Sequence, residues 1–307
     1  MSSTILPPSS HHTQRPGFRT CLVALIGSGV LLPAAARADL SFETETARIL
    51  APGKFEISMA GEYQHSRDGG EFALPIAIEV GVLPHLELLI EPTPYVGIYP
   101  KGEKKIHGVG DIETTLTFLA VEEQTYLPAI AFAVEWKAPT ARNLNIGTRK
   151  NDFAFYLIAS KRFGSLDLHA NAAYTIIGKP TGVNVKNTWS FALAGDYKLT
   201  DKWDVFAEVM YISSAQGAAP RSTSVSTGTT SVSGDGGDGS VAVATPVSAE
   251  GAVSSVGSTA VAEVGGVEII GTMGVRHHLT SNLDIFGSIS YDNADAKLFR
   301  TGFTIKF

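Results

Sequence analysis

Few residues of this 307-residue chain are of a type and spacing that could do chemistry. Asp167, His169 and Asn171 alternate, so an acid, an imidazole and an amide would share one face of an extended strand. A hydrolase would need a serine beside that imidazole to supply the nucleophile. The sequence places no serine at the level and face of His169, and no G-x-S-x-G run occurs. His277 and His278 are adjacent, so in a strand they face opposite sides and cannot chelate one metal together. The run GDGGDG offers Asp235 and Asp238 to calcium, which takes about six to eight oxygens, but it occurs once and reads first as a flexible surface loop. Cys21 is the only cysteine, which excludes disulfide frameworks and thiolate metal clusters. Four methionines argue against a soft copper site, and there is no P-loop or dinucleotide fingerprint. No catalytic residue, metal or cofactor is expected, and the chain reads as a non-enzyme.

The elements that would hold these groups are strands. From Gly53 onward apolar and polar residues alternate with period two, and helical spacing does not fit. Phe299, Thr301, Phe303, Ile305 and Phe307 fall on one face of the last strand, with Arg300, Gly302, Thr304 and Lys306 on the other. About twelve such strands are predicted, with cores near 54–64, 71–82, 86–97, 109–121, 127–138, 151–163, 166–177, 188–199, 203–214, 266–278, 283–291 and 298–307. They are long enough to cross a bilayer tilted, which takes about 9–11 residues. Their connections alternate tight and long, as in outer-membrane barrels with short periplasmic turns and longer external loops. Aromatic residues gather near both strand ends: Tyr95, Trp136, Trp189 and Tyr291 outside, Phe55, Phe163, Trp203 and Phe307 on the periplasmic side. The fold class is therefore all-β, a transmembrane antiparallel up-and-down barrel. A soluble β-sandwich is the competing reading, weakened by the long strands and the C-terminal Phe strand.

The N-terminus assigns the compartment. Arg15 and Arg19 precede an apolar run, Cys21 to Leu32, and Ala36-Arg37-Ala38 forms an A-x-A site. Residues 1–38 read as a signal peptide, 39–53 as a periplasmic N-terminal segment, and 54–307 as the barrel with a long external loop at 215–265. That loop is rich in Ser, Thr, Gly, Ala and Val and low in aromatics. The expected location is the outer membrane of a Gram-negative-type bacterium. Charged residues are only 18%, against roughly 25% in soluble domains, because lipid-facing positions exclude them. A net charge of −6 argues against a nucleic-acid partner.

The lumen face carries the functional information. A charge facing lipid at the midplane costs about 2–4 kcal/mol for Arg or Lys, so alternation places the strand charges inward. Acids outnumber bases there. Glu79, Glu87, Glu113, Glu135 and Glu208 are expected to line a pathway, with Lys137, Arg162 and Arg276 as countercharges and His169 beside them. Either the acids line a water-filled path that favours cations, or they pair with Arg and Lys across a closed lumen.

Several stretches resemble the outer-membrane family associated with the meta-pathway of phenol degradation. They are TARILAPGKFEIS (46–58), GVGDIETTLTF (108–118), LPAIAFAVEWKAPT (127–140), DLHANAAYTIIG (167–178) and FALAGDYKLTDKWDVFAEV (191–209). Its more specific points are Gly110-Asp111, Ala138-Pro139-Thr140, His169-Ala170-Asn171 and Glu208. The insert at 215–265 departs from the family's shorter loop. The resemblance implies an outer-membrane barrel that transports small, often aromatic, compounds. The expected function is thus passive diffusion of small solutes, aromatic or hydrophobic ones among them, through a narrow channel. The alternative is a closed structural or adhesive barrel acting through loop 215–265. Expected partners are outer-membrane lipid, small solutes, and the barrel-assembly machinery through the strand ending at Phe307.

Overall fold

The computed structural model describes residues 43–67, 69–179, 184–215 and 267–307. The leader 1–38, the GDGGDG run and nearly all of loop 215–265 lie outside the described residues. Every regular element among those described is a strand. A bilayer supplies no water to backbone groups, so a spanning sheet must leave no open edge. This one closes into a twelve-stave antiparallel barrel.

The first stave is β1 (Phe55–His65). The next three are each interrupted: β2 (Gly69–Ala73) with β3 (Ile76–Leu83), β4 (Leu86–Pro92) with β5 (Val96–Pro100), and β6 (Ile106–Gly108) with β7 (Ile112–Val121). The remaining eight are unbroken. They are β8 (Ala129–Ala138), β9 (Asp152–Phe163), β10 (Leu166–Ile176), β11 (Thr188–Lys198), β12 (Trp203–Ile212), β13 (Glu268–Thr280), β14 (Leu283–Asp292) and β15 (Lys297–Lys306). Each stave pairs with its chain neighbour, and β15 pairs with β1 from Glu56↔Lys306 to His65↔Lys297.

The sequence predicts continuous strands over 71–82, 86–97 and 109–121, and the structure breaks all three. Pro75 and Pro94 sit in two of the breaks and have no N–H to give the ladder. Single bonds carry the sheet across: Ala60 N to Pro75 O (3.1 Å), Leu74 N to Tyr95 O (3.0 Å) and Gly110 N to Thr93 O (2.9 Å).

Alternation sorts the two faces as lipid requires. Trp136, Phe153, Trp189, Tyr211, Tyr291 and Phe299 are exposed at the long-loop end, and Phe55, Phe118, Phe163, Tyr197, Trp203 and Phe307 at the short-turn end. At the closing seam the Phe55 and Phe307 rings stack at 4.3 Å, and the Phe307 N–H donates to Phe55 O (3.0 Å). At the opposite end the connection between β8 and β9 folds inward. Its Ile146 packs, with Ile106, on Ala73, Val96 and Ile98.

Candidate functional site: the barrel lumen

Small residues on the inner face let larger groups converge. On β8 the inward positions are Ala129, Ala131, Ala133, Glu135 and Lys137, all buried. Glu56, Glu79, Glu87, Glu113 and Glu135 are buried on one continuous arc of wall, from β1 through β8. Lys137 on that arc pairs with Asp152 of β9. Glu135 accepts from the Tyr156 hydroxyl (2.7 Å). One oxygen of Glu79 is buried without a hydrogen-bond partner.

The opposite arc, β11 to β15, is built differently. Phe206 and Phe286 are buried inward, each lying over a glycine of the adjacent strand, Gly274 and Gly302. Met210 and Ile212 extend this apolar sector, with Ile270 against them. Arg300 joins Glu62 (Nε to Oε1, 2.6 Å) to Glu43. Towards the short-turn end Arg276 reaches Asp196 (2.5 Å) and Asp204 (3.4 Å), and Lys306 reaches Asp284 (2.6 Å). His278 lies between Asp204 (2.9 Å) and Asp284 (2.7 Å), while His277 stacks outside on Trp203 at 4.2 Å.

Between the two arcs runs the chain's own N-terminal segment. The sequence sets residues 39–53 apart as a periplasmic segment; the structure instead places 43–50 against lumen side chains. Glu208 accepts from the backbone N–H of Glu43 (2.9 Å) and Thr44 (2.6 Å). With its oxygen towards the segment, the Asn171 amide accepts from Glu45 N (2.6 Å) and donates to Glu45 O (2.9 Å). Ser160 accepts from Ala47 N (2.9 Å), and Glu87 from Leu50 N. The physical reason is backbone demand: an extended segment without a sheet partner must satisfy its N–H groups, and the inward carboxylates, hydroxyl and amide do so.

At the short-turn end Arg48 holds Asp167 (2.8 Å) and Glu123 (2.5 Å) together. Burial alone would raise the Glu123 carboxyl. Hydrogen bonds from Arg162 N and from the Arg48 and Lys161 side chains hold it below the usual carboxylate range instead. Arg162 is a rim residue, partly exposed, paired with Asp167. It does not face the lumen core as Glu79, Glu87, Glu113, Glu135, Lys137, His169, Glu208 and Arg276 do.

A second correction concerns His169. A serine does share its level and face: Ser160 is its register partner, and Ser160 Oγ lies 2.8 Å from His169 Nδ1. The pair is capped by Ala47 N–H, so its present work is to hold the segment. The inward Phe206 and Phe286 were also missed. Their signal was alternation with Asp204, Glu208 and Asp284 on the same face.

A family model described as "Putative MetA-pathway of phenol degradation" matches residues 41–241. The chain belongs to that family. The stretches that resemble the family coincide with the lumen's joints. Asp111 accepts from Ala141 N (2.8 Å), and the Thr140 hydroxyl donates to Gly110 O (3.2 Å), which docks one long loop on the wall. His169, Asn171 and Glu208 all reach the N-terminal segment or the serine that holds it. Among solved structures, the COG4313 outer membrane channel from Pseudomonas putida F1 is similar, with a TM-score of 0.58 at 10% identity over 88% of this chain and 100% of that one. A structure titled NanC porin matches at a TM-score of 0.49, 9% identity, 82% of this chain and 100% of that one. No curated protein matches the chain. The family and the fold make this an outer-membrane β-barrel of the channel type.

Proposed function

We propose that the protein is a narrow passive channel for small solutes, with a preference for neutral aromatic or weakly cationic molecules, and that it does no catalysis. The observation that carries this reading is the division of the lumen into two unlike arcs around a docked segment. Glu79, Glu87, Glu113 and Glu135 supply negative potential on one side, and Lys137 on the same arc is paired with Asp152. Such a wall disfavours anions. Phe206, Met210 and Phe286 supply an apolar strip on the other side, and ring contacts there suit a planar solute. His169 and Arg276 line the path as fixed polar groups; Arg162 guards the periplasmic rim. A closed barrel acting only through loop 215–265 is the second reading, favoured by the segment at 43–50 that fills part of the lumen.

The test is single-channel conductance of the refolded chain in a planar bilayer under a salt gradient. A cation-leaning reversal potential is expected, moving towards zero in Glu135→Gln. Glu208→Gln is expected to raise conductance instead, because Glu208 holds two backbone N–H groups of the segment. A folded barrel that stays silent in all three forms would establish the closed reading.

A further inference from the structure

Two neighbouring long connections carry a charge opposite to the lumen, and the channel reading does not use it. The β5–β6 connection holds Lys101, Lys104 and Lys105 against Glu103 alone. The β8–β9 connection, 139–151, adds Arg142, Arg149 and Lys150 and has no acid. The two connections are neighbours: Ile146 of the second packs, like Ile106 of β6, on Ala73, Val96 and Ile98, and lies against Gly108. A chain of net charge −6 thus gathers basic residues on these two neighbouring connections.

The side of the wall to which this basic charge belongs is fixed by an aromatic cup. Gly97 alternates with inward Val96 and Ile98, so its bare face looks outward. Two tyrosine hydroxyls converge over it: a Cβ there would lie 2.7 Å from Tyr99 Oη and 3.0 Å from Tyr95 Oη. The Tyr95 hydroxyl meets His107 Nδ1 at 2.9 Å, and the two hydroxyls are 3.4 Å apart. Lys105 Nζ stands 5.6 Å from the Tyr99 ring centroid. The ammonium is therefore drawn onto the outer, lipid-side surface and away from the mouth. Hydroxyl-bearing rings belong at the level of lipid headgroups, and lysines beside them suit phosphate.

We propose that this outward patch, Tyr95, Tyr99, His107 and Lys105, with Lys104 next to it in sequence, binds the phosphorylated sugar headgroup of an outer-leaflet glycolipid. Tyr99 and Tyr95 present ring faces and hydroxyls to the sugar, and the two lysines present charge to its phosphate. A free anion drawn to the pore would call for cations over the mouth; the ring under Lys105 places its charge on the wall.

The experiment titrates the full-length, detergent-solubilised barrel with bis-phosphorylated lipid A, with fully dephosphorylated lipid A and with inorganic phosphate. The wild type is expected to bind the phosphorylated form most tightly. Lys104→Gln with Lys105→Gln is expected to weaken that binding by about tenfold or more, Tyr99→Leu to weaken it less, and Lys104→Arg with Lys105→Arg to retain it. Lys202→Gln, at the short-turn end, should bind as the wild type does. Heat-shifted electrophoretic mobility checks that each variant is folded. Equal affinity for the two lipid A forms, unchanged binding in the double Gln variant, or inorganic phosphate binding as tightly as lipid A would each overturn the proposal.

Discussion

Glu45 is the residue on which the docked segment is most sensitive to its surroundings. Burial, with repulsion from Glu135 and then Glu87, pushes its carboxyl up to about 8. Released into water, Glu45 would return to its ordinary value of 4.5. The docked state then binds the extra proton between those two values, so docking is fully favoured below the lower one and weakens as pH rises through the upper one. The docking equilibrium should fall by up to about tenfold per pH unit over that window. Conductance of the wild type is expected to rise from about pH 5 to about pH 8, and Glu45→Gln to flatten the rise. A wild-type conductance independent of pH would contradict the assignment.

At this same scale the sequence hid one contact that its turns could have revealed. Gly164-Ser165 is a two-residue connection, which makes Phe163 and Leu166 partners and counts back to Ser160 opposite His169. The serine was legible through register and was overlooked because faces were assigned strand by strand. Asn171 and Glu208 were legible as inward, but their partner was not. No periodicity announces that residues 43–50 will run inside the barrel, because an extended segment bonded to side chains has no sheet partner to impose a pattern.

Among the elements, β3 is the one that seats this segment. Gly81 donates to Lys54 O (2.9 Å) and accepts from Gly53 N (2.8 Å), and a Cβ on it would come within 2.2 Å of Ala51 O and 2.6 Å of Leu50 O. Only a residue without a side chain admits the backbone so close to the wall. Gly81→Val should therefore displace residues 50–53 while the wall itself, paired on both sides of β3, still closes. The expected result is a folded barrel with raised conductance and faster proteolysis near Arg48. Unchanged conductance would show that the segment does not obstruct the path. The breaks in the second to fourth staves were half legible: Pro75 and Pro94 mark two of them, whereas nothing in the alternation around Gly110 marks the third. Only the structure shows that Asp111, just past that break, turns to serve the loop at Ala141 instead of the ladder.

For the whole molecule, period-two alternation and tight-long connections were enough to reach a closed barrel, because lipid on one face and no open edge leave few other arrangements. What they could not reach was the unlike character of the two lumen arcs, which depends on which staves become neighbours around the ring. Charge is also unequal along the axis. The β8–β9 connection carries Arg142, Arg149 and Lys150, and the interior carries Glu79, Glu87 and Glu113. A conduit with fixed positive charge at one mouth and negative charge along its bore is an electrical junction. Small cations are enriched in its bore and depleted at the basic entrance. Current should then depend on the sign of the applied voltage, more strongly in dilute salt, where the Debye length is about 30 Å, than at 1 M, where it is about 3 Å. The rectification would report which way each molecule sits in the bilayer, and replacing Arg142, Arg149 and Lys150 with Gln should make the current–voltage curve more nearly symmetric.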